Sequence, residues 1–72
     1  MVWKKISNKP NYMVWQRPPR KSYNTFSVVV KTEEEQWVSF VDGGEAGTKI
    51  LKRGETKREI ISEALKYMRE FP

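Results

Sequence analysis

The side chains in this sequence that could do chemistry are cations and aromatic rings, and both are concentrated in its first part. Residues 1–31 contain seven Lys and Arg, five aromatic residues and no carboxylate. Residues 32–72 contain all nine carboxylates against seven Lys and Arg. Because cations attract phosphates and flat rings stack on bases, this composition predicts contact with a nucleic acid.

The same composition argues against catalysis and against metal binding. The sequence has neither His nor Cys, so the usual general base and the usual zinc ligands are missing. The acidic run Glu33–Glu35 could attract a cation. Adjacent residues of a strand point to opposite faces, however, so these side chains cannot easily converge on an ion, and the run is interpreted as a solvated turn. No hydroxyl nucleophile is accompanied by a base. We therefore expect a non-enzymatic protein without a metal or another cofactor.

The positions expected to contact the nucleic acid lie between residues 4 and 23. The expected phosphate contacts are Lys4, Lys5, Lys9, Arg17, Arg20 and Lys21. The expected ring contacts are Trp15 and Tyr23, followed by Tyr12. The composition favours DNA only slightly over RNA and does not distinguish single strands from duplexes. If about four cations engage duplex phosphates, log K should fall against log salt with a slope near −3.6.

The segment from Arg17 to Lys21 is the densest basic cluster. Its two prolines lower the entropy cost of holding three cations in place. It is predicted to act as a phosphate clamp or as an arm that enters a groove. One alternative is a hinge whose charges keep the domain in solution, and another is a proline-rich ligand for an aromatic-lined groove.

The order of strand-like and helix-like patterns predicts the fold class. Strands are expected at residues 12–16, 23–31, 36–41 and 48–52, with 1–11 as an N-terminal segment or a short edge strand. A helix is expected over residues 56–71, where Thr56 and Glu59 have the spacing of a capping box. We predict one α+β domain over residues 1–72: a three- or four-stranded antiparallel sheet with the C-terminal helix packed on one face.

One face of such a sheet is left without a helix, and strand alternation should send some of the aromatic rings there. The other rings belong to the core, for which Trp3, Trp15 and Phe26 are candidates. A second basic group surrounds the last strand and the start of the helix. Its members are Lys49, Lys52, Arg53, Lys57 and Arg58. These side chains either assist binding or are neutralised locally by neighbouring glutamates.

The segment from Trp37 to Met68 resembles two known patterns. The run Trp37–Phe40, a Gly-rich hairpin, Lys49–Leu51 and the helix start at Thr56 are similar to the DNA-binding domains of the AP2 and integrase-arm type. That resemblance implies a three-stranded sheet docking into the major groove. The helix entry, with Gly54, Thr56, Glu59 and Ala64, also resembles HicB-type antitoxins, which implies a partner protein instead.

The alternative function is therefore a protein-interaction module, either antitoxin-like or a regulatory subunit. Its open sheet face would form a homodimer or a partner surface. No apolar run approaches the ~18 residues that span a bilayer, and the N-terminus lacks the apolar region of a signal peptide. We expect a cytoplasmic protein without a membrane partner. The Lys, Glu and Ile content without Cys is typical of thermophilic proteins.

Overall fold

The computed structural model describes residues 3–17, 27–43 and 47–71. Five strands are followed by one helix: β1 (Lys4–Lys9), β2 (Tyr12–Gln16), β3 (Ser27–Glu33), β4 (Gln36–Asp42), β5 (Thr48–Gly54) and α1 (Lys57–Glu70). The strands form one antiparallel sheet in sequential order. The α+β class and the C-terminal helix are confirmed.

The sheet has five strands, so the expected number of three or four was too low. The additional strand is β1, which corresponds to the short edge strand that was one of two expectations for residues 1–11. Its sequence Lys-Lys-Ile-Ser-Asn-Lys lacks the alternation that marks a half-buried strand. It pairs with β2 through the tight turn at Pro10 and Asn11, where Lys9 lies opposite Tyr12. Ladder hydrogen bonds rather than burial therefore hold this edge. A bulge between Lys5 and Ser7 and its lysines protect the edge from further pairing.

The connection between β3 and β4 is a two-residue turn. Glu33 pairs with Gln36, and the two residues between them, Glu34 and Glu35, have φ values of 51° and 66°. Two positive φ angles are the signature of a type I′ turn, which fits the twist of a hairpin but favours Asn and Gly. The acidic turn expected at residues 33–35 thus consists of Glu34 and Glu35, and its backbone is strained.

The core lies between α1 and one face of the sheet. The helix packs against β3, β4 and β5 and buries Ile60, Ala64 and Met68 at the spacing of one helical face. The sheet contributes Met13, Trp15, Val28, Val30 and Val41, and Trp3 joins them. These strand residues alternate along β2 and β3, so one set of side chains fills the core and the other set faces away.

The start of α1 is fixed differently from the expected capping box. Thr56 occupies the N-cap position with an extended backbone, but its side chain makes no capping hydrogen bond within the described residues. The ammonium group of Lys57 instead donates to the carbonyl of Pro10 over 3.1 Å and lies 5.4 Å from the centroid of the Trp37 ring. This contact ties the helix start to the β1–β2 turn.

The end of α1 is held by two side chains from the other end of the sheet. The indole nitrogen of Trp3 donates to the carbonyl of Phe71 over 2.9 Å, and the Arg17 guanidinium donates to the same oxygen. The guanidinium carbon lies 4.4 Å from the centroid of the Trp3 ring, and Arg17 is only 4% exposed. A cation at a helix C-terminus also interacts favourably with the helix dipole. Arg17 therefore joins the strands to the helix end.

Candidate nucleic-acid interface

The face of the sheet opposite α1 is organised in rows that cross the strands. The first, called the basic row, takes one residue from each strand. It consists of Lys9, Tyr12, Lys31, Val38 and Arg53. Neighbouring strands lie about 4.8 Å apart, so this row extends over roughly 19 Å. Its three cations come from alternate strands, β1, β3 and β5.

The next row along the strands, called the apolar row, lies beside the basic row. It consists of Ser7, Val14, Val29, Phe40 and Ile50. Val14 and Val29 are buried, whereas Ile50 is 48% exposed and Phe40 is half-buried. Because valines are short, the longer side chains around them form the exposed part of this surface.

A third row, called the polar row, lies on the other side of the apolar row. It consists of Lys4, Gln16, Ser27, Asp42 and Thr48. Within it the amide of Gln16 donates to the Ser27 hydroxyl over 3.3 Å. The apolar row therefore has three cations on one side and a row of mixed polarity on the other, so positive charge is concentrated along one side of the face.

Among the described residues, two aromatic rings lie on this face. Tyr12 is 43% exposed and lies in the basic row on β2, whereas Phe40 lies in the apolar row on β4. Two strand spacings and two residues along a strand place their Cα atoms about 12 Å apart. Lys31 lies on β3, the strand between those that carry the two rings, and its ammonium group is 5.5 Å from the centroid of the Phe40 ring. A ring and a cation are thus presented side by side.

Glu33 is the acidic side chain next to the basic row. Its carboxylate lies 3.7 Å from the Lys31 ammonium and 3.5 Å from the Arg53 guanidinium. All three side chains are between 35% and 43% exposed, so these ion pairs are well solvated and contribute little to stability. Lys31 and Arg53 can therefore exchange this carboxylate for another anion at low cost.

The structure brings together three of the residues expected to bind. Lys4, Lys9 and Tyr12 share the open face. Lys5 lies on the helix side of β1, 5.1 Å from the centroid of the Trp15 ring. The expectation that Trp15 stacks with a base is wrong, because this ring is only 6% exposed and packs in the core.

The expectation for Arg17 is also corrected. Its guanidinium is buried against Trp3 and the helix end, so it is not presented to a phosphate. The other expected contacts, Arg20, Lys21 and Tyr23, lie outside the described residues, as does most of the proline-containing loop. The part of the candidate interface that can be described is therefore the sheet face.

The face adds two cations and one ring to the contacts expected between residues 4 and 23: Lys31, Arg53 and Phe40. Arg53 belongs to the second basic group, for which assistance in binding was one of two expectations. Alternation along β3 could have identified Lys31, because it shares a face with Val29 and not with the core residues. Arg53 is different. A bulge between Ser39 and Phe40 shifts the pairing with β5 and puts Arg53 opposite Val38. The other strand members of the second basic group, Lys49 and Lys52, pair with core-side positions.

The described part of the chain has neither a cluster of metal ligands nor a helix that could span a membrane. Residues 3–17, 27–43 and 47–71 contain no group of three or more Asp or Glu side chains that could hold a metal ion. The helix found there is neither long enough nor apolar enough to cross a membrane. Comparison with protein-family models, curated proteins and solved structures found no match for this chain. Any functional assignment therefore depends on the geometry of the open face.

Proposed function

We propose that this chain is a non-enzymatic nucleic-acid-binding protein that uses the open face of its sheet, with DNA slightly favoured over RNA as the target. The observation that carries the proposal is the basic row beside the apolar row. Lys9, Lys31 and Arg53 lie on β1, β3 and β5, and the Tyr12 and Phe40 rings lie next to them.

The chemistry of this arrangement suits a polyanion that carries flat bases. Lysine and arginine side chains neutralise phosphates and release counterions, which provides most of the affinity of sequence-independent binding. Aromatic side chains stack on bases with a contribution of about 1–3 kcal/mol per base. Rings presented by a sheet bind bases in the same way in a common RNA-binding module. The open face offers both kinds of contact within about 19 Å.

The alternative proposal keeps the same face but assigns it to a protein partner or to a second copy of the chain. It is favoured by the exposure of Ile50 and Tyr12, at 48% and 43%. Large exposed apolar side chains that share one face can mark a protein interface. A partner on this face would have to match the three cations of the basic row with carboxylates.

A fluorescence anisotropy titration with labelled DNA and RNA oligonucleotides tests the proposal. We expect binding at low salt, with a slope of log K against log salt of roughly −2 to −3 for three engaged cations. Lys31→Gln should weaken binding, whereas Lys66→Gln, which removes the same charge from α1, should change it little. Absence of binding at about 50 mM salt, combined with a dimer in sizing chromatography, would instead support the protein-interaction alternative.

A further inference from the structure

We infer that the open face binds single-stranded nucleic acid in preference to a duplex. This inference depends on the proposed function and specifies its substrate class. It follows from the width of the sheet and from the strands that carry the two rings.

The sheet is too wide for a groove of duplex DNA. Its five strands extend over about 19 Å, whereas the major groove is about 12 Å wide and admits a helix or a two-stranded ribbon. A three-stranded sheet, about 10 Å across, would fit that limit. The presence of β1 and β5 at the two edges therefore removes the major-groove geometry that a smaller sheet would allow.

The rings also lie where a duplex cannot use them. Tyr12 is on β2 and Phe40 is on β4, so each ring has a further strand between it and the sheet edge. The flat faces of bases inside a duplex are covered by their neighbours. An unpaired base can turn its face onto a ring, because stacking requires only an exposed π-surface. The two rings are thus accessible to single strands alone.

The rows define a path for the strand. Phosphates would follow the basic row, where Lys9, Lys31 and Arg53 are separated by about 10 Å from one to the next. Bases would lie towards Phe40 in the apolar row and on Tyr12 between two of the cations. The length of the path corresponds to a site on the order of three to six nucleotides.

A duplex could still contact the cations through its phosphate backbone, so ring variants and cation variants should affect the two kinds of nucleic acid differently. Ring contacts should matter for single strands, whereas cation contacts should matter for both. Two ring variants, Tyr12→Ala and Phe40→Leu, remove the stacking surface and leave the charge unchanged. Tyr12→Phe keeps the ring, and Leu65→Ala removes an exposed apolar side chain from α1, so these are the matched controls.

The test is an anisotropy titration with a labelled 12-nucleotide single strand and with the corresponding 12-base-pair duplex at one salt concentration. The single strand should bind at least ~10-fold more tightly. Each ring variant should weaken single-strand binding by roughly 5- to 100-fold and duplex binding by less than ~2-fold. The two control variants should bind both oligonucleotides as the parent chain does. Circular dichroism melting identifies any variant that fails to fold, and Tyr12→Ala is the decisive one because its side chain is exposed.

The possible outcomes separate this inference from the proposed function. Duplex binding equal to or tighter than single-strand binding would overturn the inference and leave the proposed function standing. Single-strand binding that is insensitive to the ring variants would also overturn it, since the path would then not cross the rings. Failure of both oligonucleotides to bind would overturn the inference and the proposed function together.

Discussion

Removal of the Glu33 carboxylate should strengthen nucleic-acid binding. This carboxylate lies 3.7 Å from the Lys31 ammonium and 3.5 Å from the Arg53 guanidinium, so it competes with phosphates for two cations of the basic row. Glu33→Gln keeps the size of the side chain and removes its charge. The two ion pairs are solvated and contribute at most about 1 kcal/mol each to folding, so the variant should remain folded.

The size of the effect follows from the distances. A phosphate that contacts Lys31 or Arg53 from the solvent side would lie about 7 Å from the carboxylate, where two charges repel by about 0.6 kcal/mol in water and about 2.4 kcal/mol at an effective dielectric constant of 20. Screening at about 0.1 M salt reduces these energies by roughly half. We therefore expect affinity to rise by roughly 2- to 8-fold per phosphate.

Anisotropy titrations of Glu33→Gln and Glu63→Gln provide the measurement. Glu63 is on α1, so its substitution changes the net charge equally but on the opposite side of the sheet. We expect less than a ~1.5-fold change for this control, since the charge lies farther away and is screened. The gain for Glu33→Gln should shrink as the salt concentration rises. An equal gain for both variants would show that only net charge matters, and it would refute the placement of the site on the basic row.

Three further predictions concern stability. Arg17→Met should lower the free energy of unfolding by about 1–3 kcal/mol, because it removes a hydrogen bond to a carbonyl and a cation at the helix end. The same substitution should change the affinity of the folded protein by less than ~2-fold, because the Arg17 side chain is buried. The double substitution Glu34→Asn with Glu35→Gly should raise stability by about 1–2 kcal/mol, because both positions have positive φ. Ser39→Ala should raise stability by about 0.5–2 kcal/mol, because the buried hydroxyl has no hydrogen-bond partner among the described residues.

Urea unfolding followed by circular dichroism checks all three, and each has its own contradicting result. Strong loss of affinity in Arg17→Met at unchanged stability would restore Arg17 as a phosphate contact. Replacing Glu34 and Glu35 by Gln removes the charges without changing the backbone preference, so an equal gain in that control would show that repulsion, not strain, is relieved. A less stable Ser39→Ala would indicate that the hydroxyl is hydrogen-bonded after all.

The helix and most of the strands could be predicted because their patterns are local. The apolar stripe of α1 repeats at 3.6 residues, and the strand predicted at residues 12–16 coincides with β2. Strand β1 could not be predicted in the same way, because it buries almost nothing and exists through its pairing with β2. A strand held by ladder bonds alone leaves no hydrophobic period to detect.

The assignment of rings to faces was partly within reach of the sequence. In β2, Met13 and Trp15 alternate with Tyr12, Val14 and Gln16, and the second set contains the more polar side chains. A sheet with one covered face puts the apolar set against the helix, so the same alternation that exposes Tyr12 buries Trp15. The rings and cations of residues 4–23 were expected to form one site, although alternate positions along a strand lie on opposite faces of the sheet.

The face on which Arg53 lies could not be predicted from alternation along β5. Strict alternation from Ile50, which faces away from the helix, would send Lys52 to the open face and Arg53 to the helix side. The bulge opposite Ser39 and Phe40 inserts one residue and reverses this order, so that Arg53 completes the basic row and reaches Glu33. A bulge depends on the fit between two strands rather than on either sequence alone. The presence of Arg53 on the open face therefore depends on the register of the folded sheet. A measured contribution of Arg53 to binding would test whether β5 pairs with β4 in that register.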